Sequence, residues 1–286
     1  MEERPAWKDV LDREKLLVLP VAHDALTARL IHRAGFPAYQ IGGFACVAAM
    51  HGVPDIDLEH YGERSDVARK IIAASPLPVM VDGDDGYGDV KNVTRTVEGY
   101  EHMGASALFI EDQLAPKKCG HMADKHVVSV ELMEAKIRAA VAARVKRDFF
   151  IVARTDAIQP EGVDNAIKRG QKYLEAGADG VYLEGPTSVE ELEKIGKAFK
   201  GVPLATSVLE GGGKTPVLPA KQFHEMGFTM LLYPTTLLFQ FARSMEHALR
   251  NLKDGKPMTK ATGTTMDEFL EIVDMPFWQE LESRFE

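Results

Sequence analysis

Cysteine is almost absent from this chain: Cys46 and Cys119 are the only two among 286 residues. Two cysteines cannot build a disulfide framework, so a reducing, cytoplasmic setting is expected. Basic residues are outnumbered, 34 against 43 acidic ones, leaving a formal net charge of -9. That balance argues against a protein that coats nucleic acid, yet leaves room for a local basic site that takes a small anion. No apolar run is long enough to span a bilayer, so no membrane partner is expected. The opening MEERPAWKDVLDREK is charged and lacks an apolar stretch, so no secretory signal is expected there. No Pro/Gly/Ser-rich linker and no low-complexity tract interrupts the chain. With 45% hydrophobic and 27% charged residues, the composition is ordinary and globular, which excludes collagenous, coiled-coil and disordered classes. Length alone is compatible with one large domain or two small ones.

What is present is a recurrence. Short apolar runs suited to buried strands fall at Leu16–Val21, Ala38–Ile41, Val79–Asp82, Ala107–Glu111, Phe149–Arg154, Gly180–Leu183, Pro203–Ser207 and Met230–Tyr233. Runs such as LLVLPV, ALFI and FFIVA lack strict alternation, as strands covered on both faces do. Helical periodicity lies between them. Val130, Met133, Ile137 and Val141 share one stripe, with Ser129 placed as its N-cap. Ser188 and Glu191 have capping-box spacing. The phrases RAGFPA, HMGASA, EAGADG and EMGFTM each put glycine where a helix stops before a strand. Eight such units predict an α/β fold, a (β/α)₈ TIM barrel, with a doubly wound sheet as the alternative. Most units run to about 22–31 residues, but those after the second and fourth strands reach about 40. The surplus falls on loops at the barrel's active face, one carrying HGVPDID and the other EDQLAPKKCGHMADKH. The barrel with a short lead-in is expected over 1–253 and a helical extension over 254–286. Within the extension, Met266–Phe285 reads as two short amphipathic helices, available to the barrel or to a neighbouring subunit.

Several strand ends carry groups suited to chemistry. VDGDDGYG places Asp82, Asp84 and Asp85 after the third strand, where carboxylates repel unless a cation compensates. Oxygen-only ligation suits Mg²⁺ or Mn²⁺, and a solvated Asp/Gly turn is equally compatible with the spacing. IEDQ adds Glu111 and Asp112 on the fourth strand; alternatively Asp112 caps a loop and Glu111 pairs with a lysine. KKCGH joins Lys117, Lys118, Cys119, Gly120 and His121, and basic neighbours predict a lowered thiol pKa and an acid or nucleophile. An inert exposed thiol is the plain alternative, and no second cysteine stands at zinc-ligand spacing. Cys46 reads as a small apolar residue. Arg154 and Asp156 close the fifth strand, Arg154 as an anion clamp or as the partner of Glu111 or Glu184. Gly42 and Gly43, in GGF, offer free N–H groups to a carboxylate, or form a tight turn. EGGGK at 210–214 lacks Walker spacing and reads as a mobile loop. His32, His102, His224 and His247 read as surface or core-edge residues on helices. His23 lies near the mouth without a legible partner.

In this order, VDGDDGYG, IEDQ, KKCGH and ARTDA resemble the isocitrate lyase/phosphoenolpyruvate mutase superfamily. The nearest likeness is its short branch of methylisocitrate lyase, 2,3-dimethylmalate lyase and carboxyphosphonoenolpyruvate mutase. The resemblance runs from Leu16 into the C-terminal helices. It implies Asp82 and Asp84 as metal-site residues, with Glu111 in a water-mediated shell. It also implies Gly42, Gly43, Tyr39, Gly120 and Asp55 at the substrate. Cys119 corresponds to the catalytic cysteine on a gating loop with Lys117 and His121, and Arg154 and Glu184 to a substrate-orienting pair. A homotetramer that exchanges C-terminal helices is implied as well. Three departures touch the substrate side: Ile41 before the glycines, Asp85 beside the metal aspartates, and Ala205–Gly211 in place of an A-N-x-x-E-G-G pattern.

The activity so implied is Mg²⁺-dependent carbon–carbon cleavage of a 2-hydroxy di- or tricarboxylate, of methylisocitrate or alkylmalate type, to an α-oxo acid and a second carboxylate. The alternatives are a carboxyphosphonoenolpyruvate-type phosphonomutase and an oxaloacetate-type hydrolase or decarboxylase. A non-catalytic binding barrel stands against the retention of Asp82, Asp84, Glu111, Cys119 and Arg154 together.

Overall fold

The computed structural model describes residues 4–285, so the first three residues of the 1–253 span and the last of the 254–286 span lie outside the described residues. Eight strands close into a parallel barrel in sequence order: β1 (Leu17–Ala22), β2 (Tyr39–Ile41), β3 (Val79–Asp82), β4 (Ala107–Glu111), β5 (Phe150–Thr155), β6 (Gly180–Leu183), β7 (Leu204–Ser207) and β8 (Met230–Tyr233). β8 pairs with β1 from Leu17↔Met230 to Pro20↔Tyr233, which closes the sheet and rules out the doubly wound alternative. The helices are α1 (Trp7–Glu14), α2 (Ala25–Arg33), α3 (Gly43–His51), α4 (Tyr61–Ala73), α5 (Val90–His102), α6 (Val130–Ala143), α7 (Ile158–Glu161), α8 (Val163–Glu175), α9 (Val189–Ala198), α10 (Ala220–Met226) and α11 (Thr236–Lys253). Beyond them come α12 (Met266–Ile272) and α13 (Met275–Ser283). No helix among the described residues is long and apolar enough to cross a membrane.

The strands fail to alternate because both of their faces are buried in apolar surroundings. Val81, Leu108, Ile110, Ile151 and Ala153 pack outward under the helices. Leu19, Met80, Phe109, Val152, Tyr182 and Leu232 fill the interior. Trp7, Val10 and Leu11 of α1 join that inner cluster together with Leu17, Ala38, Ala107 and Phe150 from the starts of strands. The lead-in helix therefore plugs the end of the barrel opposite the strand C-termini.

The punctuation holds with one change. Gly35, Gly104, Gly177 and Gly227 all take positive φ, where a side chain would be strained. Ser129 caps α6 by accepting from Leu132 N. The expected capping box at α9 is only half formed. Ser188 accepts from Glu191 N, but the Glu191 carboxylate reaches one residue further back, to Thr187 N at 2.6 Å.

The extension docks on α2 through Arg33 Nη1 to Glu271 O (3.3 Å) and an Arg29–Asp274 contact of 3.7 Å. Much apolar surface stays outside: α11 buries none of its residues, and Phe241, Leu249, Leu252, Phe277 and Trp278 are exposed.

If α1 is a plug rather than a decoration, truncating its anchor must open a core cavity. Trp7→Ala is expected to destabilise the protein by about 3–5 kcal/mol, read by chemical denaturation; a change below about 1 kcal/mol would contradict the plug.

Candidate active site

The inner face that is apolar at the barrel's base turns polar one step from its top. Counting by twos, Met80 leads to Asp82, Phe109 to Glu111, Val152 to Arg154, Tyr182 to Glu184 and Ala205 to Ser207. Gln40, Asp82, Glu111, Arg154, Glu184 and Ser207 accordingly line one cavity, roofed by Lys117, Cys119, Gly120 and His121. Tyr39 does not. The three-residue β2 turns Gln40 inward and Tyr39 outward, where its hydroxyl lies 3.4 Å from Ile71 O under α4. The assignment of Tyr39 to the substrate is thereby corrected.

The acidic cluster is stitched together. Asp82 Oδ2 accepts from Gly43 N (2.9 Å) and Oδ1 from Asp84 N (3.0 Å). Lys117 Nζ lies 2.5 Å from Asp84 and 2.6 Å from Asp55. Arg64, which sequence reasoning missed, donates to Gly43 O (2.9 Å) and reaches Asp84 Oδ2 (3.4 Å) and Glu59 (3.3 Å). Burial pushes the Asp84 carboxyl up, but Lys117 and Arg64 outweigh it and hold the group well below the ordinary carboxylate range. Burial, and then the charge of Asp84, push Asp82 up. The Gly43 N–H, expected to be free, is thus engaged by Asp82. Asp85 adds no charge to this cluster, contrary to expectation: it pairs with Lys136 of α6 at 3.3 Å and accepts from Tyr87 N.

Glu111 is 3.3 Å from Arg154 Nε, so its partner is this arginine and not a lysine. Its Oε1 is buried without a hydrogen-bond partner, and burial pushes its pKa well up. Among the described residues no three Asp, Glu, His or Cys side chains converge tightly enough to hold a metal unaided. The donor set nonetheless fits a hard cation that keeps water ligands. Asp82, Glu111 and Asp55 line one cavity, and the orphaned Glu111 oxygen lacks a donor. Asp112 instead accepts from Thr155 Oγ1, Asp156 N and Tyr173 OH, a structural role.

The cysteine loop spans 112–129. Cys119 N donates to Asp55 O at 3.2 Å, while Lys118 points away, to Asp124 O. The expected lowering of the Cys119 pKa is reversed. Burial pushes the thiol up to about 11, a backbone hydrogen bond at His121 opposes it, and Asp55 and Glu184 raise it further. Lys117 does not help the thiolate, because its charge is committed to Asp55 and Asp84. Cys46 is buried and apolar as expected, its thiol pushed up to about 12 by burial.

His121 Nε2 lies 2.8 Å from Glu184 Oε1 and 3.1 Å from Ser207 Oγ, while Nδ1 accepts from Lys214 N. The EGGGK segment is therefore not a free loop; it braces the cysteine loop, with Lys214 Nζ on Met122 O as well. Burial pushes Glu184 up, and Arg154 and then His121 overcome it and hold the carboxyl well below its ordinary value. Arg154 stacks over Phe109 and Tyr182 and is held by Asp156 at 2.9 Å. His23, whose partner the sequence did not reveal, meets Thr27 Oγ1 at 3.2 Å.

Ser207 and Gln40 were also missed, and their inward strand positions are the signal that finds them. Arg64 had a signal too: it lies on the buried stripe of α4 with Val67, Ala68, Ile71 and Ile72, where an unpaired arginine has no place.

A closed barrel with paired acids, a clamped arginine and a cysteine loop over one mouth defines an enzyme built for small anions. Residues 8–253 match the phosphoenolpyruvate phosphomutase family, and the chain belongs to the phosphoenolpyruvate mutase/isocitrate lyase superfamily. It is 38% identical over 287 residues to 2,3-dimethylmalate lyase of Eubacterium barkeri, covering 100% of this chain and 99% of that one. It is 39% identical to 2-methylisocitrate lyase of Halalkalibacterium halodurans, covering 87% and 81%. Among solved structures, oxaloacetate acetylhydrolase with 3,3-difluorooxalacetate superposes at a TM-score of 0.91 and 31% identity, covering 96% and 94%. Phosphonopyruvate hydrolase with oxalate and Mg²⁺ superposes at 0.85 and 29%, covering 97% of each chain.

Arg64 faces three acceptors with almost no access to water. Arg64→Met is expected to cost about 3–5 kcal/mol of stability because it strands Asp84, Glu59 and Gly43 O; urea unfolding at wild-type stability would show that the clamp is idle.

Proposed function

We propose that this protein is a Mg²⁺-dependent carbon–carbon lyase. It cleaves a small 2-hydroxy di- or tricarboxylate, of methylisocitrate or alkylmalate type, to an α-oxo acid and a second carboxylate. The observation that carries this reading is a thiol kept protonated by burial, Cys119, in one cavity with Arg154, Glu184, Asp55 and Asp82. A nucleophile would need the thiolate, whereas a proton donor needs the thiol.

Asp82 and Asp84, with Glu111 through water, would hold Mg²⁺ (or Mn²⁺), which when bound lends Lewis-acid support to charge on the substrate's carbinol oxygen. The start of α3 after Gly42 receives a substrate carboxylate, the Gly43 N–H being already held by Asp82, and Arg154, fixed by Asp156, offsets its charge. Glu184 orients Arg154's neighbourhood and keeps His121 in place. Lys117, anchored by Asp55, supplies positive charge on the other side. The carbon–carbon bond breaks with its electron pair left on the departing fragment, the carbinol proton leaves to a base, and the carbinol becomes the carbonyl of the oxo acid. The Cys119 S–H then gives its proton to the carbanion, and solvent restores the thiol after the loop opens. While closed, Gly120 and His121 keep water from quenching that carbanion.

The exposed apolar faces of α11, α12 and α13 support a homotetramer in which neighbouring subunits cover them, and the two unpaired cysteines support a cytoplasmic location. A hydrolase acting on oxaloacetate is the second reading, favoured by the likeness to oxaloacetate acetylhydrolase.

Wild type and Cys119→Ser should be compared on 2,3-dimethylmalate, 2-methylisocitrate and oxaloacetate with Mg²⁺, scored by released oxo acid or oxalate. The substitution is expected to lower lyase turnover by about 10²–10⁴-fold with Mg²⁺ binding nearly unchanged. Undiminished turnover would remove the acid role, and turnover of oxaloacetate alone would favour the hydrolase.

A further inference from the structure

The cysteine loop is held shut from beneath by a lysine outside KKCGH. Gly120 rests so closely on the site that a Cβ there would meet Arg154 Nη2 and Glu184 Cγ, each at 2.5 Å. Lys125, further along the same loop, turns back under it. Its ammonium donates to Gly120 O and, at 2.7 Å, to Asp156 Oδ1. Both side chains of that pair are shut off from water, at 1% and 0% exposure. Asp156 in turn holds Arg154, with Oδ2 at 2.9 Å from Nε and Oδ1 at 3.2 Å from Nη2. Its own backbone is pinned by N–H donation to Asp112 Oδ1 at 2.9 Å.

A buried ammonium is tolerated only where acceptors meet it, so this contact has one arrangement, that of the closed loop. When the loop lifts, Asp156 loses one of its two cations and Gly120 leaves the face of Arg154. We propose that Lys125 is a positioning residue that couples closure of the cysteine loop to the orientation of Arg154. The loop thus cannot present Cys119 to the mouth without also locking the carboxylate clamp, and the two halves of the site become competent together.

The thiol reports this coupling. Closed, Cys119 is partly buried and pushed up to about 11 from its ordinary 9.0. Release of the loop exposes the sulfur to solvent and reagent, which speeds its alkylation. Cys46, 1% exposed on the buried side of α3, serves as an internal control for global loosening.

The test is the rate of iodoacetamide labelling at pH 8, read separately on the Cys119 and Cys46 peptides by mass spectrometry. In Lys125→Met, Cys119 is expected to label at least about tenfold faster while Cys46 stays protected; Lys125→Arg, which keeps charge and donors, stays close to wild type. Labelling of Cys119 at the wild-type rate in Lys125→Met overturns the proposal. Should that variant label Cys46 as well, Asp156→Asn decides between the same two outcomes. A companion turnover assay rests on the lyase reading, and there Lys125→Met should lower kcat more than it changes KM; an equal loss through KM alone would overturn the coupling to Arg154. If the wild type itself turns over no hydroxy acid, the lyase reading fails while the labelling result still decides the role of Lys125.

Discussion

Asp82 and Asp84 stand two residues apart at the end of β3, both almost cut off from water. Neither is stable as an anion there without positive charge close by, and the mouth is arranged around that demand. Lys117 comes down from the cysteine loop to Asp84, and Arg64 comes across from α4 to the same carboxylate. Each of these cations then fixes something else: Lys117 anchors to Asp55, and Arg64 holds the Gly43 peptide at the start of α3. One electrostatic constraint thereby ties together the loop that carries the thiol, the start of α3 at the barrel mouth, and the aspartates suited to a divalent cation.

The same commitment explains why Cys119 behaves against its sequence neighbourhood. Adjacent lysines lower a thiol's pKa only if their charge reaches the sulfur, and here Lys117 is spent on two carboxylates while Lys118 points to Asp124. Burial and the carboxylates of Asp55 and Glu184 prevail. The result is a poor nucleophile and a well-kept proton, which is the form that quenching a carbanion requires. Desolvation, elsewhere a penalty, here preserves the thiol.

Much of this is legible in the sequence. Strands covered on both sides must read as unbroken apolar runs, so all eight were visible, with only one-residue shifts at the ends of β1, β2, β5 and β7. Asp82, Glu111, Arg154 and Glu184 were visible because a charged residue ending such a run has only the barrel mouth to face. Tyr39 was misplaced because a three-residue strand offers no pattern from which to read its inward and outward sides. Arg64 and Lys125 escaped because their partners, Asp84 and Asp156, lie 20 and 31 residues further along the chain, just past β3 and β5. Asp85 was misjudged for the same reason, since its partner Lys136 sits on α6. Motifs carry the residues that line the mouth more readily than those that hold them in place.

The central claim is that a carbanion forms inside the closed mouth and takes its proton from the Cys119 thiol on one face. Cleavage of 2,3-dimethylmalate in D₂O tests it directly, because retro-aldol cleavage of that molecule leaves pyruvate and propionate, and the propionate keeps a record of how its α-carbon was protonated. NMR of the propionate, converted to the ester of a single-enantiomer chiral alcohol, is predicted to show one deuterium at that carbon, in a single configuration. Deuterium scattered over both configurations, or a propionate without it, would contradict delivery by a thiol held on one side of a water-excluded site.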